Sequence, residues 1–212
     1  MTRVIRLDAN PGMPVPQDVV VSLKNGGLVV CPTDTLYALA AVPFSKEGLL
    51  RLAGAKNRDP GKPVPLLLSG PDAASRWTSG IPEAADRLMR RFWPGALTLV
   101  LPAAQGLFPM ITDEGGTVGL RVPDHPVARE LADRVGGAIT GTSANRGGKP
   151  WDWESPEEIF REFEDEISWV LWDGPLTTTA ASTVVRITGE RPTLLRDGAI
   201  PFQEIMEYLQ KG

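Results

Sequence analysis

Helical spacing and continuous apolar runs take turns along this chain. Val19, Val20 and Leu23 share one face of a predicted helix over 16–24, and Asn25-Gly26-Gly27 stops it. Leu28-Val29-Val30-Cys31 is an unbroken apolar run, the pattern of a strand buried on both faces. Pro32 cannot donate to a ladder and ends it. The Thr33-Asp34-Thr35 turn therefore sits at the C-terminal end of a buried strand, where ligands bind in α/β sheets. Ser45 suits the N-cap of a helix over 46–56, although Gly48 and Gly54 weaken that pattern. A loop over 57–63 leads to a strand over 64–68. A helix over 82–92 follows with Pro82 in its first turn, then strands over 97–101 and 117–122. A helix over 126–135 ends at Gly136-Gly137, and a short strand over 138–141 enters a Ser-Ala-Asn loop. Ser155 caps a helix over 156–163, where Glu157 and Glu158 suit the N-terminal dipole. Strands over 169–172, 183–187 and 193–196 and a helix over 202–210 close the pattern. Interleaved strands and helices predict an α/β fold with a twisted, mostly mixed β-sheet flanked by helices.

Composition narrows this only a little. A chain of 212 residues with 42% hydrophobic and 23% charged residues can bury a sizeable core. Its Gly and Pro are scattered, marking turns and no linker, so one domain over 1–212 is expected, with its core at about 15–200. The net charge of -4 argues against a surface that grips nucleic acid everywhere, while leaving room for a concave basic cleft. One cysteine, Cys31, excludes an internal disulfide framework and a cysteine zinc site. It reads as a small core residue. No apolar run approaches the ~20 residues of a membrane span, and the N-terminus lacks the apolar core of a signal peptide. A cytoplasmic protein with no membrane contact is expected. His125 is the only histidine; between Asp124 and Pro126 it reads as a helix-entry turn.

Candidate chemistry lies in short polar motifs. Lys56-Asn57-Arg58 offers a point charge and a planar fork of donors for phosphate oxygens, with Lys62 in the same loop. Ser143 and Asn145 offer short polar side chains beside a turn, where backbone N–H groups help to hold anions. Taken singly, each reads more simply as a solvated charge or an ordinary turn. Their order carries more: Pro32 to Leu39, Lys56 to Arg58, Trp93-Pro94-Gly95-Ala96-Leu97-Thr98, Arg121-Val122-Pro123-Asp124-His125-Pro126, Ser143 to Asn145, Ser182-Thr183-Val184-Val185 and Arg196-Asp197-Gly198.

That ordered set resembles the YrdC family, the threonylcarbamoyl-AMP synthases that begin a universal tRNA modification. The resemblance runs over about 15–200 and implies a single-domain YrdC-like fold. It also implies an enzyme, a nucleotidyltransferase. Threonylcarbamoyl-adenylate and pyrophosphate would form from L-threonine, bicarbonate and ATP, with Mg2+ as the ATP counter-ion. By resemblance, Lys56 and Arg58 would be catalytic and, with Lys62, Ser143, Asn145 and Arg196, would bind ATP. Thr33, Tyr37, Arg121, Gly141 and Ser182 would surround the threonine, with Arg121 on its carboxylate. Catalysis of this kind is mostly positioning and electrostatics, so no nucleophile–base pair is expected. The product would pass to a separate tRNA threonylcarbamoyl transferase.

Two departures stand out. The family's Tyr-Gly-Leu is Tyr37-Ala38-Leu39, and Ala lacks glycine's access to positive φ. A histidine common after the Lys-x-Arg loop is replaced in Val64-Pro65-Leu66-Leu67-Leu68, which removes one expected substrate contact. A paralogue group with Tyr-Ala-Leu lacks Lys-x-Arg and Ser-x-Asn; this chain keeps both. The alternative of another class is a non-catalytic protein that binds tRNA, other double-stranded RNA or the ribosome through its basic cleft. A carbamoyl-adenylate module of hydrogenase maturation proteins would need a longer, cysteine-rich chain.

Overall fold

The computed structural model of this chain describes residues 3–57, 62–146, 153–176, 180–189 and 191–211. Strands β1 (Arg3–Arg6), β2 (Val29–Cys31), β3 (Ala38–Ala40), β8 (Thr142–Ser143) and β9 (Trp169–Trp172) form one sheet in the order β1-β9-β2-β3-β8. The second sheet, in the order β11-β10-β5-β6-β4-β7, takes β4 (Leu66–Leu68), β5 (Leu97–Pro102), β6 (Thr117–Arg121), β7 (Ala138–Thr140), β10 (Thr183–Arg186) and β11 (Thr193–Arg196). Both are mixed: β1, β9 and β2 run parallel while β3 turns back on β2; β10 runs parallel to β5 and β4 parallel to β6, while β6 runs antiparallel to β5 and β11 antiparallel to β10. The α/β class and the mixed pairing match expectation. The single sheet expected from the pattern is instead two.

Six helices among the described residues flank these sheets: α1 (Gln17–Lys24), α2 (Lys46–Ala55), α3 (Glu83–Phe92), α4 (Pro126–Arg134), α5 (Pro156–Phe163) and α6 (Phe202–Gln210). The first sheet is covered on both sides. Val29 and Cys31 of β2 pack with Val19, Val20 and Leu23 of α1 and with Ala128, Leu131 and Ala132 of α4. Val30 points the other way, to Leu52 of α2 and to Ile159 and Phe163 of α5. Period-two alternation delivers successive β2 side chains to opposite faces, and both faces are dry, so the run had to be apolar throughout.

The second sheet is covered on both sides only at β4 and β7, where Leu67 and Ile139 pack with Ala128, Leu131 and Ala132 of α4; β5, β6 and β10 are covered on one side. Leu97, Leu99 and Leu101 of β5, Val118 and Leu120 of β6, and Val185 of β10 pack with Leu88 and Met89 of α3 and Ile205 of α6. Fully burying one such side chain contributes roughly 1.5–3 kcal/mol, so this face fixes the strand register. The alternate residues, Thr98, Val100, Thr117, Gly119, Arg121, Val184 and Arg186, face a cleft.

Local corrections have local causes. Strand β3 was not expected because Ala-Leu-Ala has weak strand preference; pairing with β2 and β8 makes it. Strand β1 and the two-residue β8 are likewise made by their partners. Residues Pro71–Arg76 and Glu164–Glu166 add two short 3₁₀ helices. Ser45 caps α2 as expected, its Oγ accepting from Gly48 N at 3.0 Å. Ser155 stands at the N-cap of α5 but makes no side-chain capping bond. Pro82 is the N-cap residue of α3 rather than part of its first turn. Trp93, read as packing, is buried and donates from Nε1 to Leu97 O at 2.7 Å. Trp151 lies outside the described residues.

Candidate functional site

The open face of the second sheet and the C-terminal end of β2 bound a cleft of about 800 Å³. Nearly every expected site residue lines it: Thr33, Tyr37, Lys56, Lys62, Arg121, Gly141, Ser143, Asn145, Ser182 and Arg196. Arg58, the remaining one, lies outside the described residues. Asp113, Thr117 and Arg186 extend the lining beyond the residues singled out from sequence.

At one end, Lys56 forms the C-cap of α2 and is buried. Its Nζ donates to Ser143 O at 2.7 Å, to Asn145 Oδ1 at 3.0 Å and to the Asn145 carbonyl. Ser143 Oγ donates to Asn145 Oδ1 at 2.6 Å. A lysine read singly as a solvated surface charge is therefore a buried cation seated on the Ser-Ala-Asn loop. Asn57 turns the chain away at φ 47, a left-handed conformation that Asn tolerates. Arg146, not singled out from sequence, anchors the same loop: it bonds Ala55 O at the end of α2, Glu162 O and Glu166 Oε2. Trp153 Nε1 donates to Ala144 O at 2.8 Å.

In the middle, Arg121 at the end of β6 is 5% exposed, a buried charge rather than a solvated one. It donates to Asp34 Oδ1 at 2.5 Å, to Thr35 Oγ1 at 2.7 Å and from Nε to Gly95 O at 2.8 Å. Burial pulls the guanidinium below its usual pKa, and Asp34 opposes that. Thr33 Oγ1 donates to Leu36 O at 2.6 Å and accepts from Thr35 N and Leu36 N, so the turn is closed by its own side chain. Leu67 stands beside Arg121 in the ladder and fills the space over Gly141, where an added Cβ would lie 2.4 Å from Leu67 Cγ. Ala38 has no positive φ and sits in regular strand, so the Tyr-Ala-Leu departure leaves the backbone undisturbed.

Tyr37 is fully buried, 1% exposed, and its ring lies on Trp172 with centroids 5.1 Å apart. Its hydroxyl donates to Gly174 O at 2.7 Å and accepts from Asp173 N at 2.9 Å. Burial pushes the phenol well above its usual pKa. Tyr37 is thus a wall residue whose polar atom is already satisfied. Burial also pushes the Cys31 thiol up to about 12, leaving it an inert core residue.

At the far end, Arg196 of β11 donates from Nε and Nη2 to Ser182 O and from Nη2 to Ser182 Oγ, and Ser182 Oγ lies 2.9 Å from Thr98 Oγ1. Gly198 makes this closure possible: a Cβ there would meet backbone atoms of Ala181, Ser182 and Thr183 at 2.4 Å. Asp113 accepts from Arg186 at 2.8 Å and from Thr117 N at 2.8 Å. Burial would raise the Asp113 carboxyl, but these bonds win and hold it below its usual value. Among the described residues, no group of three or more His, Cys, Asp or Glu could hold a metal ion, and no helix is long and apolar enough to cross a membrane.

Residues 21–198 match the family model of Sua5, YciO and YrdC proteins, described as telomere recombination. A Mycobacterium tuberculosis relative is 38% identical over 190 residues, 90% of this chain and 87% of its own length. Threonylcarbamoyl-AMP synthase of Pyrococcus abyssi is 34% identical over 88% of this chain, which spans 55% of that longer protein. The same fold is found in P. abyssi Sua5 complexed with L-threonine, with TM-score 0.87, 30% identity and coverage of 99% of this chain and 61% of that one. E. coli YciO superposes with TM-score 0.83 at 25% identity, covering 97% of this chain and all of YciO. With the motifs gathered on one cleft and the match running almost end to end, the chain belongs to the Sua5/YciO/YrdC family.

Proposed function

We propose that this protein is a threonylcarbamoyl-AMP synthase, a nucleotidyltransferase acting on ATP, L-threonine and bicarbonate. The observation that carries the reading is the single cleft that gathers Lys56, Ser143 and Asn145 at one end, Arg121 and Thr33 in the middle, and Ser182 and Arg196 at the other. Relatives bearing that enzyme's name support it.

The chemistry runs in two steps and makes two demands. The threonine amine bonds to the carbon of bicarbonate and water leaves, giving a carbamate. A carbamate oxygen then bonds to the α-phosphorus of ATP as the bond to pyrophosphate breaks. Polyanionic reactants must be brought together, and charge on the phosphoryl oxygens must be neutralised as it shifts. Lys56 and Arg58, with Lys62, Ser143, Asn145 and Arg196, would hold the nucleotide. Lysine supplies a compact charge, and arginine supplies a fork that matches paired oxygens. Thr33, Arg121, Gly141 and Ser182 would surround the threonine, with Tyr37 as an apolar wall. Arg121 has two N–H groups beyond the three bonds named above, enough for an amino-acid carboxylate. Lys56, Lys62, Arg121, Arg186 and Arg196 outnumber Asp113 among the described lining residues, which supports a basic cleft.

Mg2+ would arrive with ATP and neutralise phosphate charge. The donor set fits an ion carried by phosphate oxygens and water with at most Asp113 added, since Mg2+ keeps several waters and takes few protein carboxylates. The adenylate would pass to a tRNA threonylcarbamoyl transferase in the cytoplasm. The RNA-binding alternative gains no comparable support.

The test is pyrophosphate release by the purified protein, with and without threonine and bicarbonate. Release should require both. Lys56→Ala should lower it by about a hundredfold or more, the scale of losing one aimed charge in a catalytic site. ATP binding with no threonine-dependent release would sink the reading.

A further inference from the structure

His125 has no part in this chemistry, yet it grips the cleft from behind. It is the N-cap residue of α4, with its side chain 14% exposed. Its Nε2 lies 3.1 Å from Asp173 Oδ2. An ionised carboxylate only accepts, so Nε2 carries the proton and Nδ1 is bare. That Nδ1 is buried with no hydrogen-bond partner. Asp173 follows β9, and its N–H donates to the Tyr37 hydroxyl on the cleft wall. The preceding residue acts on the other end of the same turn: Asp124 N donates at 2.9 Å to Asp34 Oδ1, the oxygen that also takes Arg121. The Asp124-His125 corner leaves the second sheet just after β6 and holds the loops that end β2 and β9 in the first.

We propose that His125 is a positioning residue: through Asp173 it fixes Tyr37 and the 33–37 turn against Arg121, and so sets the shape of the amino-acid end of the cleft. Only the identity of the ligand rests on the synthase reading. Among the described residues, the charges that act on the ring are Asp173 from the loop after β9, Asp34 from the turn after β2, and Arg129 on α4. Burial holds the imidazole below its usual pKa, with Asp173 and Asp34 opposing and Arg129 assisting. A second proton would have to sit on Nδ1, where no acceptor waits.

Because the chain has one histidine, its ring gives a single NMR titration curve. Wild type, His125→Gln and His125→Ala are compared by pyrophosphate release over a pH series. Gln keeps a donor toward Asp173; Ala does not. His125→Ala should raise KM for threonine about tenfold, the scale of one lost hydrogen bond to a charged group, and leave KM for ATP within about twofold. Gln should restore most of the loss. Wild-type KM for threonine should rise as pH falls through the NMR midpoint, and the Gln variant should show no such rise. Equal loss of both KM values, no rescue by Gln, or a KM profile unrelated to the NMR curve would overturn the proposal. Absence of any threonine-dependent release in wild type would instead count against the synthase reading. The aromatic circular dichroism of the Tyr37–Trp172 pair then decides: it should follow the His125 titration in wild type and stay flat in the Gln variant, and a flat wild-type signal overturns the proposal.

Discussion

Burial turns single residues of this site from surface charges into fixed parts. Arg121 and Asp34 are both largely out of water, with side chains 6% and 18% exposed and 2.5 Å apart. Removing one partner of such a pair leaves the other charge uncompensated. Asp34→Ala should therefore cost about 3 kcal/mol or more, measured by urea unfolding, whereas breaking the exposed Arg51–Glu47 pair should cost under about 0.5 kcal/mol. The residue types were legible in sequence: Lys56, Arg121, Ser143 and Asn145 stood in an ordered motif set. Their bonds were not. Lys56 reaches a loop 87 residues away, and Arg121 reaches a turn 87 residues away. Nothing local to either residue records such a partner. Arg146 and Asp173 escaped notice for the same reason, since each is an ordinary charge until its distant partner is known.

At the level of elements, the site is held by ends of helices and strands. Helix α2 delivers Lys56 from its C-terminus and is fixed at its N-terminus by the Ser45 cap. Ser45→Ala should lower stability by about 1 kcal/mol in urea unfolding, and hydrogen exchange should show faster opening of α2. Strands β5 and β6 were legible as strands, and their Leu-Thr-Leu-Val-Leu and Thr-Val-Gly-Leu-Arg sequences alternate as a half-covered sheet requires. Strands β3 and β8 were not, because their extended form comes from pairing rather than from side-chain preference. Leu67 packs over Gly141 with an apolar side chain, so its side chain offers a ligand no hydrogen bond.

For the molecule as a whole, the cleft exists because the first sheet is covered on both faces while β5, β6 and β10 of the second are covered on one, and links such as His125–Asp173 hold the two sheets together. Burial of His125 makes stability depend on pH, with Asp173 opposing the effect. The folded state holds His125 below its unfolded pKa near 6.5, so the unfolded chain binds the proton more readily. Its contribution is present above that value and is lost as pH falls through it toward the folded pKa. Thermal unfolding should show a drop in Tm over that window in wild type, and a smaller one in His125→Gln. The α/β class, the order of the helices and most strands, and the residue types of the candidate site were legible in the sequence, because periodicity and motif order are local records of burial and chemistry. The split into two sheets, the pairing of Arg121 with Asp34, the seating of Lys56 on the Ser-Ala-Asn loop and the contact of His125 with Asp173 emerge only in three dimensions. Each joins segments far apart in the chain, and no local preference specifies which distant group will satisfy a buried charge.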